Sequence, residues 1–501
     1  MSVTKKHFGI VSQVDIAPEN TLVLVGAALN GPSFVPFTLY EESDPFEVLG
    51  DCPLADAYLS AQRAGADRIV LYRINGSHAE AMIRFLEGTS QDVLRLRSVA
   101  ASENYNDIQV VVFPDHLFVR NTDGTERSYF YDKYPTAYEL AYAMNLDAEY
   151  GLLEFTAEAI DPHFSMNTIT TGSMDVSFNG GSSDSHFIPD RADSADMAFV
   201  SGLLKDNLKK ALFGEDPVDQ NEKESNSDLG LLRFGVIALV DMFHDDDPEF
   251  TQLLGAFCLN KTKQHGIGCI GVVGTRPIFE EEDIPLEETV SVRIQEWLAN
   301  APMVPTPEEM YYVQVVVGDM EIPENNGVRP VSACYAYAAT QASITYYAMM
   351  TNKSLGIGSL RYSLRKEDIA TLTANGYTCI VPSVRRGFVP YRATTFTQEQ
   401  FSLMSKPHHI RISQHISHVL SEGLDNLLGG NANLLNFKDL EEWTKEILDE
   451  LVAEGVVREY TFKYQPTSTT ELQLELSFVP HSEIESVYSI TTISVPQGAI
   501  L

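Results

Sequence analysis

Three groups of residues in this chain have the types and spacing that chemistry uses. The first is His244-Asp245-Asp246-Asp247, whose carboxylates could hold a divalent cation through oxygen. It lacks the alternating ligand spacing, the turn glycine and the closing glutamate of a calcium loop, so an acidic turn is the reading kept. The second is a histidine set: His415 and His418 are helical i, i+3 neighbours, with His408 upstream. No carboxylate or cysteine stands beside them at metal-ligand spacing, which makes them a polar helix face and not a zinc centre. The third is the glycine-rich turn after TLVLV, in VGAALNGPSFVPF (residues 25–37). A P-loop needs a lysine and a hydroxyl after its last glycine, and a dinucleotide turn needs GxGxxG opening a helix. Gly31 is followed instead by Pro32-Ser33-Phe34-Val35-Pro36, an extended run, so a structural turn is expected. No cofactor and no metal follow from any of the three.

Composition narrows the classes further. A chain of 501 residues should hold roughly three or four domains. Its 44% hydrophobic content is ordinary for a globular protein. A net charge of −35 argues against nucleic acid or an anionic membrane as a partner over most of the surface. The opening MSVTKKHFGIVSQ has basic residues without an apolar core, so no secretory leader is expected, and no apolar run is long enough to span a bilayer. Cys52, Cys258, Cys269, Cys334 and Cys379 form no CxxC pair, and free thiols in a reducing compartment are expected.

The elements that must position these groups alternate in kind. Residues 1–20 are a polar lead. Then come the strand TLVLV, extended FVPFTLY, a helix in PLADAYLSAQRAGA and the strand RIVLYRI, an α/β alternation. Residues 100–185 become β-rich: DIQVVVF, then HLFVRN and RSYFY around Asp123-Gly124, a hairpin signal. From 190 to 320, FGVIALVDMF, GCIGVVG and YYVQVVVG alternate with helices, between acidic loops read as solvated surface.

The last 170 or so residues carry an alanine-rich helix, ACYAYAATQASITYYAMM, and two amphipathic helices near 407–427 and 437–453. Two alternating strands follow. Tyr460, Phe462 and Tyr464 share one face of the first, and Leu472, Leu474, Leu476 and Phe478 one face of the second, so a half-buried hairpin is expected. Beyond it runs SVYSITTISVPQGAIL, a strand-forming tail beside a sheet with open edges. Such edges invite pairing with another chain, and pairing with the chain's own sheet is equally open on pattern alone.

The motifs recur in an order that resembles the contractile tail sheath proteins of bacteriophages. VGAALNGPSFVPFTLYEESDPFEVLG is similar to that family's opening strand and turn, and ENYNDIQVVVF to the strand opening its inserted β domain. FNGGSSDSHF is similar to its GGsDG turn, with Ser185 and His186 where glycine is usual. GSLRYSLRKEDIATLTANGYTCIVPSVRRGF and FSLMSKPHHIRISQHISHVLSEGL resemble the family's later stretches, so the likeness covers nearly the full chain.

The resemblance implies an α/β and α+β multidomain fold with a subtilisin-like central domain (21–99 and 186–330). It also implies an inserted β-rich outer domain (100–185), an α+β C-terminal inner domain (331–484), and linking arms at 1–20 and 485–501. The implied function is structural, not enzymatic: subunits stack as rings around a tail tube, meet baseplate and tail terminator proteins, and contract to drive the tube through the host envelope. No direct nucleic acid and no membrane partner is implied. Assembly would take place in the host bacterial cytoplasm, with the product in the virion. No GTSMA-type nucleophile motif accompanies the subtilisin-like expectation. A multidomain α/β enzyme acting on a nucleotide or acyl substrate is the competing class.

The resemblance also assigns residues. Phe8, Ile10, Val487, Tyr488, Ile490, Ile493 and Val495 fall in the arms, and Tyr460, Phe462, Leu472, Leu474 and Leu476 in the arm-accepting hairpin. Between residues 381 and 420 the only acid is Glu399, a local inversion of sign. Arg385, Arg386, Arg392, Lys406, His408, Arg411, His415 and His418 are therefore expected to face an acidic partner, in a sheath the tube wall.

Overall fold

The computed structural model describes residues 8–10, 20–40, 42–87, 89–168, 174–188, 194–214, 227–265, 268–279, 285–324, 327–425, 437–466 and 472–481. The chain divides into two compact units at 418/419.

The first unit opens with β1 (Phe8–Ile10), β2 (Thr21–Gly26), β3 (Pro36–Leu39), α1 (Pro45–Leu49), α2 (Pro53–Arg63) and β4 (Arg68–Arg73). An insert follows: β5 (Glu80–Glu87), β6 (Thr89–Ser98), β7 (Gln109–Val112), β8 (His116–Arg120), β9 (Glu126–Phe130), α3 (Ala137–Glu149), β10 (Phe155–Ala159) and β11 (Met174–Ser177). The unit resumes with α4 (Ser194–Phe213), α5 (Asp228–Leu231), β12 (Val236–Leu239), α6 (Glu249–His265), β13 (Ile270–Gly274), α7 (Leu286–Ala299) and β14 (Val313–Val317). It closes with the hairpin β15 (Asp319–Glu324) and β16 (Gly327–Ser332), then α8 (Cys334–Ser343), α9 (Lys366–Ala374), β17 (Tyr377–Ser383), β18 (Gly387–Pro390) and the start of α10 (Pro407–Asp425). The second unit holds the end of α10, α11 (Phe437–Ala453), β19 (Val457–Pro466) and β20 (Leu472–Pro480).

A nine-stranded sheet, in the order β1-β3-β4-β2-β12-β13-β14-β17-β18, organises the first unit. The strands from β4 to β17 run parallel, with β3 and β18 antiparallel at either side. Parallel strands need helical crossovers, which cover both faces, so their sequences read as unbroken apolar runs. Leu22 and Leu24 enter one core with α2 and α8, while Val23 and Val25 enter the other with α4, α6 and α7. Trp297 of α7 is fully buried in the second.

The insert has a core of its own. The sheet β10-β6-β5 and the sheet β11-β7-β8-β9 pack with α3, which buries Leu140, Ala141 and Met144. Thr136 and Glu139 close a reciprocal capping box at its N-terminus, satisfying two orphan donors.

Four expectations shift. The inserted part starts near residue 80, not 100, because β5 and β6 pair with each other and with β10, not with the central sheet. The C-terminal boundary falls at 418/419, not 331, because β17 and β18 complete the nine-stranded sheet and α8 packs in its core. Phe8 and Ile10 lie in β1, which pairs antiparallel with β3 of the same chain and ends the nine-stranded sheet on that side. The alanine-rich helix also stops early, at Ser343.

Candidate functional site

The glycine turn after β2 is held by a guanidinium of its own chain. Arg73, at the end of β4, is fully buried. Its Nη1 donates to the carbonyls of Gly31 and Ala101, both at 2.8 Å. Its Nη2 donates to Ser183 O at 2.8 Å and its Nε to Asn75 Oδ1 at 3.0 Å. Burial lowers its pKa to about 10, and three carbonyl oxygens plus an amide oxygen are what keep the charge tolerable there. Asn75 in turn accepts from Ala28 N and donates to the carbonyls of Ala28 and Ser183. Gly76 is required beside it: at φ 82 a Cβ would stand 2.5 Å from Arg73 Nη2.

These residues clamp the neck of the insert. The outgoing and returning chains bridge at Ser77–Ser182 and Glu80–Asn179. His78 accepts from Ser33 N at 3.0 Å through Nε2, leaving Nδ1–H to donate to Ser98 O at 2.7 Å. Burial and the nearby Arg97 lower its pKa to about 4, so it is a neutral, fixed imidazole. The motif VGAALNGP and the turn GGSSDSH, 150 residues apart in sequence, are thus two sides of one joint.

In a doubly wound sheet a ligand sits where strand order reverses, here beyond the ends of β2 and β12. That crevice is filled by side chains. A Cβ on Gly26 would stand 2.7 Å from Val240 Cβ, and the buried Tyr335 hydroxyl accepts from Asp241 N at 3.2 Å.

The HDDD turn binds its own chain. His244 pairs with Thr251 Oγ1 at 2.8 Å and with Asn300 O at 3.0 Å. Asp245 accepts from Arg293 at 2.6 Å and from Trp297 Nε1 at 3.1 Å; Asp246 lies 3.3 Å from Arg276, and Asp247 2.7 Å from Lys205. Three arginine or lysine partners make the turn an internal ion-pair cluster, not a cation site, and less solvated than an acidic loop. No group of three metal-ligating side chains occurs among the described residues. Nearby, Asp319 accepts from Ile278 N at 2.7 Å through Oδ2, while its buried Oδ1 has no hydrogen-bond partner. Burial raises its pKa to about 8. Burial and Asp245 raise that of Asp246 to about 7.

The basic segment separates into two parts. Arg385 and Arg386 sit exposed at the β17–β18 turn beside the fully exposed Val384, and Arg392 follows, half-buried. Lys406, His408 and Arg411, expected to face a partner, are buried instead. The first turns of α10 are enclosed on all sides: Arg411 donates to Gln341 O at 2.8 Å and to Ile344 O at 3.3 Å, satisfying carbonyls where α8 ends. His408 is held neutral, its pKa lowered to about 3 by burial and the adjoining cations. His415 stacks on Tyr346, and His418 is half-buried. The zinc grouping of His408, His415 and His418 does not form.

The hairpin takes the expected shape. Tyr460 pairs with Phe478, Phe462 with Leu476, Tyr464 with Leu474 and Pro466 with Leu472. One face meets α11, where the Tyr464 and Thr444 hydroxyls bond at 2.6 Å and Tyr460 donates to Asp449 at 2.6 Å. Among the described residues no third strand joins either edge. Val487, Tyr488, Ile490, Ile493 and Val495 lie outside the described residues. All five cysteines are buried free thiols. Among the described residues no helix is long and apolar enough to cross a membrane.

No family model and no curated protein matches the chain. Solved structures do. A sheath tail protein from Desulfitobacterium hafniense is 13% identical, with 94% of this chain and 99% of that one aligned at a TM-score of 0.45. A sheath tail protein from Listeria innocua is 12% identical over 93% of this chain and 96% of that one, at 0.47. The anti-feeding prophage helical sheath in its contracted state is 14% identical over 56% and 76%, at 0.38.

Proposed function

We propose that this chain is a structural subunit of a contractile tail sheath, not an enzyme. It polymerises as stacked rings around a tail tube, between baseplate and terminator proteins, in particles assembled in a host bacterium's cytoplasm. The observation that carries the reading is the β19–β20 hairpin: a ten- and a nine-residue strand with one face on α11 and no partner strand among the described residues. A strand-competent tail follows it directly. An added strand satisfies an edge's backbone groups, and alternate side chains such as Ile490 and Ile493 fill apolar positions. Each subunit then both gives and receives, so weak single links add across the lattice.

The ordered motifs support the same reading, since VGAALNGP and GGSSDSH meet at one clamped joint. The subtilisin-like expectation would belong to the central α/β unit, at whose switch point Gly26 packs against Val240. The enzyme alternative loses support there. Tube contact falls to Arg385, Arg386 and Arg392, the members of the basic segment that are not buried. Contraction would draw on free energy stored at assembly, released over a kinetic barrier between two packings.

Deletion of residues 486–501 tests the reading. The truncated chain is expected to stay soluble and folded by circular dichroism while forming no striated tubes under negative stain. Ordered tubes from the truncated protein would remove the tail as linker. Unfolding would assign the tail to its own subunit's sheet.

A further inference from the structure

Helix α3 is amphipathic the wrong way for a solvated helix. Its inner face fills the insert's core with Leu140, Ala141, Met144 and Ala148. The opposite face of such a helix is normally charged or polar. Here it carries Tyr138, Tyr142, Leu146 and, at the C-cap, Tyr150, exposed by 60%, 63%, 40% and 67%. Their spacing is i, i+4, i+8, i+12, one continuous ridge. Three tyrosines and a leucine so exposed present on the order of 400 Å², the size of a functional patch on a monomer.

Charge indicates what covers it. Helix α3 has no lysine or arginine and carries Glu139, Asp147 and Glu149. Between residues 80 and 178 sixteen acidic side chains stand against six basic ones, a net charge of −10. A second copy of the ridge would bring like charges together, since antiparallel pairing sets Glu139 against Glu149. An i, i+4 ridge fits the groove of another helix, and tyrosine faces attract cations. We infer that the outer face of α3 is a docking surface for a lysine- or arginine-bearing amphipathic helix of another protein. The surface is made of insert residues alone and uses none of the C-terminal hairpin's, so it stands or falls independently of the sheath reading.

The test uses the full chain and a fluorescein-labelled 18-residue Leu/Lys amphipathic helix, read by fluorescence anisotropy at 0.15 M salt, with a Leu/Glu helix as its acidic counterpart. The Leu/Lys helix is expected to bind and the Leu/Glu helix not. Tyr142→Ser/Tyr150→Ser should weaken binding about tenfold or more, whereas Tyr142→Phe/Tyr150→Phe should retain it, because the ring faces remain. All four positions are exposed, and unchanged melting of the variants checks that the fold is kept. Equal binding by the serine variant, no binding by the wild type, or equal binding of both helices would overturn the inference. So would self-association in the ultracentrifuge that the serine variant abolishes, which would make a second copy the occupant.

Discussion

The central sheet and the β19–β20 hairpin are built from similar residues, β-branched and aromatic, yet they end differently. Each parallel strand from β2 to β14 is enclosed by neighbours on both sides and by helices on both faces. The hairpin has one face covered by α11 and, among the described residues, two open edges. Residue type therefore does not decide whether a strand is finished within its chain; the crossover connections do. A parallel strand carries its covering helices with it, whereas a hairpin needs only a turn and leaves its edges to whatever comes next.

The contrast can be broken first on the sheet side. Trp297→Ala should cost about 3–5 kcal/mol, because the indole is fully buried and its Nε1–H also serves Asp245. Chemical denaturation should show a lower midpoint for the first unit. Loss no larger than that of a surface substitution would mean that the α7 face is not core.

An effect spread over several pH units sharpens the picture at the sheet's C-terminal end. Asp319 has a folded pKa of about 8, above its unfolded value, so its protonated form contributes stability in acid that is lost as pH rises toward 8. Each retained proton contributes a slope of about 1.4 kcal/mol per pH unit at most. Asp319→Asn should flatten the fall in stability between pH 5 and 8, as followed by melting across that range. An unchanged profile would locate the pH dependence elsewhere, with Asp246 the next group to substitute.

On the hairpin side the expected change is least. Tyr464→Phe removes the 2.6 Å bond to the Thr444 hydroxyl and should cost about 1 kcal/mol. A cost comparable to that of Trp297→Ala would place the hairpin in a cooperative core as large as the sheet's.

Much of this was legible in the sequence. Apolar runs such as VIAL and VQVVV located the parallel strands, and period-two alternation located the hairpin with its pairing face. The β5–β6 sheet is hard to read because Arg84, Asp92, Arg95 and Arg97 give it a charged look, although Ala81, Ile83, Leu94 and Leu96 are buried in the insert's core. The burial of Lys406, His408 and Arg411 was also hidden. A helical pattern assigns charges outward, and only the fold brings the end of α8 against Arg411. The Arg73 joint was unreadable for the same reason: its partners come from Gly31, Ala101 and Ser183, distant in sequence.

That joint has a consequence for how such a chain can vary. Because the strands entering and leaving the insert are held side by side, the central sheet registers only a fixed gap between residues 77 and 182. The closure cost of whatever fills the gap grows only logarithmically with its length. The insert is thus a replaceable cassette. A fluorescent protein or an affinity tag whose own termini lie close together could occupy its place, with Arg73 losing Ala101 as an acceptor but keeping Gly31, Ser183 and Asn75 to hold the socket.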